Sequence, residues 1–469
     1  MLRSTDADRH VLVVCPDAHL AQCCRDGERM PLIIEGSHRL EGEVSIAGAK
    51  NAALPILAAT LLTSGECYLE NLPDIEDTRT MVSLLRQLGA SVEMEGPHSV
   101  VVEARSLTQL AVPQDLATRM RASFLVVGAL LGRQGEVQAP HPGGCSIGTR
   151  PVSVDLKGFQ TMGAEIDRLN GGYALRTRGL AGRRITLDYP SHTGTENLLL
   201  AACLAEGTTL IENASVEPEV ADLASFLNAM GARIYGAGTG TIQIEGVRKL
   251  HGSVYRIMPD RLEAGTFALA AAITRGRVLM SGRVARYLGA LTSKLGEAGV
   301  SVAAEKESYL VEGPEHPSAV DIQTFPYPGF ATDLQAPAGA FLTQARGESS
   351  IHETMYDGRL SYVGELQKMG ADIQVDGQTA LIRGPTRLRG SELKALDIRS
   401  GAAVILAALA AEGTSRISAM GYVDRGYEDI HRKLSQLGAR IERTGKQGQA
   451  SPQPTVLACA SGEVQGQEA

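Results

Sequence analysis

From Pro31 onward the hydrophobic positions of this chain alternate between two textures. Nearly uninterrupted apolar runs, such as Phe124 to Leu131 and Ala402 to Ala411, give way to short segments in which apolar and polar residues alternate. Arg233-Ile234-Tyr235 and Thr241-Ile242-Gln243-Ile244 are of the second kind. The first texture predicts helices that are apolar nearly all round and therefore buried; the second predicts half-buried strands. Both recur on one spacing. A helix-ending triplet stands at Leu88-Gly89-Ala90, Met162-Gly163-Ala164, Met230-Gly231-Ala232, Ala298-Gly299-Val300, Met369-Gly370-Ala371 and Leu437-Gly438-Ala439, its glycines 74, 68, 68, 71 and 68 residues apart. A period of about 70 residues marks a repeat architecture with units larger than those of a solenoid.

Each of the six units reads alike. An Ala/Leu-rich helix ends at Gly65, Gly135, Gly207, Gly276, Gly347 or Gly413, each suited to a left-handed C-cap. A short strand, a second helix, the triplet and two strands joined by a turn follow, and a strand leads into each unit. The expectation is an α/β fold of βαβαββ-type repeats with helices inside and sheets outside. Gly236-Ala237-Gly238-Thr239-Gly240 falls between two strands, so it reads as a hairpin turn; a nucleotide-binding glycine fingerprint needs a helix after it.

Composition narrows the partners. With 469 residues the chain needs more than one core, and its net charge of −8 offers no nucleic-acid surface. The apolar runs are too short to span a membrane. Residues 1–29 fit no repeat and lack a cleavable apolar core; they read as a disordered extension or a misassigned start, with Met30 the true one. Seven cysteines without paired or metal-type spacing point to a reducing, cytoplasmic setting.

One stretch breaks the regularity. From first-helix glycine to second-helix glycine the units span 24, 28, 24, 23, 23 and 25 residues, and the longest contains His141-Pro142-Gly143-Gly144-Cys145-Ser146-Ile147-Gly148-Thr149-Arg150-Pro151. Insertions in a repeat tend to be functional loops. A loop cysteine near a fixed cation can act as nucleophile or proton donor; the plainer alternative is an inert thiol on a turn.

Several motifs together resemble one family. Gly48-Ala49-Lys50-Asn51-Ala52-Ala53-Leu54-Pro55, Met120-Arg121-Ala122-Ser123, the Cys145 loop, Asp260-Arg261-Leu262-Glu263-Ala264-Gly265-Thr266, Thr332-Asp333-Leu334-Gln335, Asp397-Ile398-Arg399 and Asp424-Arg425-Gly426-Tyr427 look like those of the UDP-N-acetylglucosamine enolpyruvyl transferases, in order from about Pro31 to about Arg443. The resemblance implies two inside-out α/β barrel domains, each of three repeats. One would comprise residues 50–258, with the Cys145 loop as a lid; the other 30–49 plus 259–445, with 446–469 a tail. The chain would cross between them near Ala49 and Pro259.

It further implies transfer of the enolpyruvyl group of phosphoenolpyruvate to a hydroxyl of a uridine nucleotide, with no metal and no cofactor. Lys50, Arg121, Arg150, Arg399 and Arg425 would hold the phosphate and carboxylate, and Arg359 would add another cation. Cys145 would deliver a proton toward C3 and be open to alkylation by fosfomycin. Asp333 would take the hydroxyl proton, Asp397 would orient the cations, and Asn51 would meet the acceptor sugar. Ser191 and Gly194 would lie near the uridine.

The chain departs from the family pattern on the acceptor side. The Asp expected after Arg150-Pro151-Val152 is Ser153, with Asp155 two positions on. The usual Ser-Val-Gly-Ala appears as Ser191-His192-Thr193-Gly194-Thr195, Glu-Asn-Arg-Phe as Asp357-Gly358-Arg359-Leu360, and the Pro before the Thr-Asp pair is Ala331. With Asn51 retained, the resemblance implies the 3-hydroxyl of UDP-N-acetylglucosamine as the acceptor, and the departures leave the 3′-hydroxyl of UMP as the alternative.

Overall fold

The structure is a computed structural model that describes residues 30–143 and 152–444. Six helices form its centre: α1 (Lys50–Ala59), α2 (Leu125–Gln134), α3 (His192–Ala202), α4 (Arg261–Ile273), α5 (Thr332–Leu342) and α6 (Ile398–Ala410). All thirteen residues of α4 are buried. That follows from composition: a helix with apolar groups on every face must be covered on every face. α1, α2 and α3 pack on one another, as do α4, α5 and α6. The buried side chains accordingly form two clusters, one running from Ala49 to Met258, the other joining Leu32 to Ile46 with Leu262 to Ala439.

Among the described residues, six small sheets surround the helices. The third repeat shows the plan. Strand Arg184–Thr186 lies parallel to Thr208–Glu212, which pairs antiparallel with Thr241–Glu245, itself the hairpin partner of Arg233–Tyr235. The Gly236 to Gly240 stretch is the hairpin's turn, with positive φ at Gly236 and Gly238. Each strand turns alternate residues to the helices, as in Thr241–Glu245, whose Ile242 and Ile244 are fully buried.

The repeats are not closed along the chain. The strand that leads into the first sheet is Val254–Arg256, parallel to Cys67–Glu70, and the one leading into the fourth is Glu41–Ser45, parallel to Arg277–Ser281. The sixth unit, expected to carry two strands after its triplet, shows one among the described residues, Arg440–Arg443. Its partner is the first described strand, Leu32–Glu35, which sits between Thr414–Ser418 and Arg440–Arg443. At the crossings the two chain segments pair antiparallel: the Ala49 N–H donates to Met258 at 2.7 Å and the Asp260 N–H to Ala47 at 2.8 Å.

The second-helix glycines behave as expected, with positive φ at Gly89, Gly163, Gly231, Gly299, Gly370 and Gly438. The first-helix glycines do not all do so. Only Gly135 is the left-handed C-cap of its helix; the other five helices end earlier, and of their glycines Gly207, Gly347 and Gly413 have positive φ in the segment that follows the helix, while Gly65 and Gly276 do not. Their reason is contact: a Cβ at Gly276 would lie 2.2 Å from the Leu40 carbonyl oxygen, and one at Gly65 would lie 2.5 Å from the Gly252 nitrogen. Beside Gly276 the left-handed residue is Arg275. Among the described residues no helix is long and apolar enough to cross a membrane.

Candidate active site

The arrangement of the central helices has one chemical outcome. Lys50 and Asn51 open α1, His192 opens α3, Arg261 opens α4, Thr332 and Asp333 open α5, and Ile398 and Arg399 open α6. Arg121 lies on the short turn just before α2. All of them line one cavity of about 500 Å³ between the two halves. Helix N-termini present unpaired N–H groups and the positive end of the helix dipole, so the cavity favours anions even before its side chains are considered. α1 and α5 share a further detail, an internal proline at Pro55 and Pro337. Neither proline has an N–H to give the carbonyl four residues back, which belongs to Asn51 in one helix and Asp333 in the other.

Two carboxylates organise the cations. Asp333 meets Arg359 Nη2 at 2.6 Å and Arg399 Nη2 at 3.1 Å. Burial would raise the Asp333 pKa, but the two guanidiniums outweigh it and hold the group well below the ordinary carboxylate range. Arg359 Nε and Arg399 Nη1 are buried and have no hydrogen-bond partner among the described residues. The second carboxylate, Asp77, joins the two halves. It receives Lys50 Nζ at 2.7 Å and Arg425 Nε at 2.9 Å, and against the effect of its burial these cations lower its pKa. A fifth cation of the wall, Arg261, is bound by Glu217 and, at 3.0 Å, by Glu219.

The structure therefore brings Lys50, Asn51, Arg121, Ser191, Asp333, Arg359, Asp397, Arg399 and Arg425 around one cavity. Cys145 and Arg150 lie outside the described residues. Gly194 is buried behind the wall in the first turn of α3, its N–H given to the Ser191 side chain at 3.1 Å, so Ser191 is the N-cap of that helix. Asp397 likewise caps α6, accepting the N–H groups of Arg399 at 2.8 Å and Ser400 at 3.1 Å. It thereby fixes where Arg399 leaves the helix. The residues missed in the sequence are Asp77, Glu196 and Tyr356, while His192, noted there as a departure from the family pattern, also lines the cavity. Asp77 reads there as one more acid in the first turn of a helix, and nothing local marks it as the partner of Lys50 and Arg425.

Six inward helices in two pseudo-equivalent triads, with a cleft lined by lysine and arginines between them, define a class. The sequence signature of the EPSP synthase (3-phosphoshikimate 1-carboxyvinyltransferase) family matches residues 34–434, and the chain belongs to that family. Within it the chain is 47% identical over 412 residues to UDP-N-acetylglucosamine 1-carboxyvinyltransferase 1 of Caldanaerobacter subterraneus, covering 88% of this chain and 99% of that protein. It is 49% identical over 413 residues to the UDP-N-acetylglucosamine 1-carboxyvinyltransferase of Gluconacetobacter diazotrophicus, covering 88% and 98%. Among solved structures, the enolpyruvyl transferase NikO from Streptomyces tendae superposes with a TM-score of 0.81 at 26% identity, over 89% of this chain and 99% of that one. An EPSP synthase from Acinetobacter baumannii shares the fold, with a TM-score of 0.69 at 18% identity over 88% and 99%.

Proposed function

We propose that the protein transfers the enolpyruvyl group of phosphoenolpyruvate to the 3-hydroxyl of UDP-N-acetylglucosamine, the first committed step of peptidoglycan synthesis, in the cytoplasm. The observation that carries the chemistry is the Asp333 clamp: a carboxylate in the cleft wall held by two arginines that still have unspent donors. Phosphoenolpyruvate brings a phosphate and a carboxylate, and forked guanidiniums bind both groups in two-point fashion. As those anions take over Arg359 and Arg399, the charges that suppress the basicity of Asp333 are shared with the substrate. Its carboxylate then becomes a better acceptor for the sugar hydroxyl's proton.

The hydroxyl oxygen forms a bond to C2 while C3 gains a proton, for which Cys145 is the donor by family resemblance. The C2–O bond to phosphate then breaks, a proton leaves C3, and the vinyl group is restored. Lys50, Arg121, Arg150 and Arg425 hold the departing phosphate, and Asn51 takes the N-acetyl sugar. The charge is stabilised by groups already in position. The acceptor follows the relatives at 46–49% identity, all of which carry the UDP-N-acetylglucosamine name.

The departures at Ser153, His192 and Asp357-Gly358 favour a second reading, enolpyruvyl transfer to the 3′-hydroxyl of UMP. Characterising the product by mass and by the position of the new enol ether separates the two. An ether on the sugar 3-oxygen supports the first reading, and one on the ribose overturns it.

A further inference from the structure

Three of the helices that open on the cavity, α3, α4 and α6, begin under a capping side chain, from Ser191, Asp260 and Asp397. α5, which carries Asp333, has no such cap. The residue before it is Ala331, where the family pattern has a proline whose ring would have fixed φ. Its first residue is tied instead to Glu353, which follows the strand Gly347–His352. Glu353 Oε2 accepts the Thr332 hydroxyl at 2.8 Å, one residue from Asp333. Its Oε1 accepts the N–H groups of Met355 at 2.7 Å and Tyr356 at 3.3 Å and the Thr324 hydroxyl at 3.0 Å. The Thr324 oxygen itself takes the Thr354 N–H at 2.9 Å, which leaves its proton for Glu353. Glu353 is fully buried, and these four partners are all donors, the setting of an ionised carboxylate.

We propose that Glu353 is a positioning residue for the transfer, holding Asp333 and the Arg359–Tyr356 pair in register across the cavity wall. The inference rests on the reading of Asp333 as the base that takes the hydroxyl proton. The contacts close a circuit. Arg359 Nη2 meets Asp333 at 2.6 Å, its guanidinium carbon lies 5.2 Å from the centre of the Tyr356 ring, and its N–H donates to the Tyr356 carbonyl at 3.4 Å. Thr332, Asp333, Met355, Tyr356 and Arg359 line the cavity, and Glu353 stands behind them. A base acts only within hydrogen-bond reach of its proton, and a displacement of about 1 Å can cost 10²-fold in rate. The isosteric Glu353→Gln separates positioning from folding. The single amide oxygen belongs where three donors converge, which turns the amide nitrogen toward Thr332. The Thr332 oxygen can accept that bond, so the contact survives, but the charged anchor at the start of α5 is gone.

The test measures kcat and both KM values of the full-length enzyme in Glu353→Gln, Asp333→Asn and the double variant. Glu353→Gln should lose about tenfold in kcat, the scale of one hydrogen bond to a charged group, while the KM for phosphoenolpyruvate holds. On top of Asp333→Asn the same substitution should cost nothing further, because a group that acts through the base has nothing left to position. Thr332→Val cuts the same link from the other side and should lose kcat likewise, and Thr332→Ser should keep it. If Glu353→Gln does not fold, that Thr332 pair, alone and on top of Asp333→Asn, makes the same comparison. Parental kcat in Glu353→Gln, or its tenfold loss repeated in the double variant, would overturn the inference, the second result giving Glu353 a merely structural role. Full kcat in Asp333→Asn would instead overturn the reading of Asp333 as the base.

Discussion

Asp333 and Asp77 hold four of the cleft's cations in place, and each is open to a direct test. Asp333→Asn keeps the shape of the side chain and removes the proton acceptor. Substrate binding should survive while kcat falls by about 10²-fold or more, the usual scale for a positioned base; loss of binding instead would make Asp333 a structural residue. Because its pKa is depressed, the stability that Asp333 contributes is complete above the ordinary value of 3.8 and is lost only as pH falls below it. Asp77→Asn releases Lys50 and Arg425. It should raise the KM for phosphoenolpyruvate and cost about 1.5–3 kcal/mol, the range for hydrogen bonds to charged groups, measured by denaturant titration. An unchanged KM would show that the cations need no fixing by this residue. The cations and Asp333 were legible in the sequence because they sit in motifs. Asp77 was not, since its pairing with a residue 348 positions away exists only once both halves are folded.

At the scale of the element, glycines show where pattern reading stops. Gly413 and Gly276 look alike in sequence, each reading as the end of a central helix, and each lies a little beyond it in the structure. Gly413 has φ of +86° and nothing within 4 Å of a built Cβ, whereas Gly276 has ordinary φ and no room. Gly413→Ala should cost about 1–2 kcal/mol, the left-handed penalty. Gly276→Ala should cost more, because the Leu40 backbone must move; equal losses in urea melts would refute the distinction.

The turn of helix around Asp155 gives a test with a sign. Asp155 is buried, accepts a hydrogen bond from Asn197 at 2.8 Å, and is raised to about 6, chiefly by burial. A raised acid takes up protons on folding, so stability falls as pH rises from about 4 to about 6 and stays lower beyond. Asp155→Asn should therefore be more stable than the parent at pH 8, by about 1–3 kcal/mol, with the gap closing near pH 4. A gap that persists at pH 4 would show that the charge is not its cause.

In the whole molecule, six repeats and buried helices were readable because their periodicity is local. The exchange of strands between repeats was not. Leu32–Glu35 has the same alternation whichever sheet receives it, and only the assembled fold shows that it completes the last one. That sharing ties the first described strand to the C-terminal repeat. The paired crossings at Ala49 and Asp260 set Lys50 and Arg261 into the cleft from opposite halves.

The acceptor is the point at which family membership and local departures pull apart. The most direct measurement is phosphate release from phosphoenolpyruvate with UDP-N-acetylglucosamine and, separately, with UMP, compared as kcat/KM. The account predicts brisk release with UDP-N-acetylglucosamine, at least about a hundredfold above UMP, the scale of one or two lost hydrogen bonds at a closed site. Release with UMP and none with UDP-N-acetylglucosamine would contradict it.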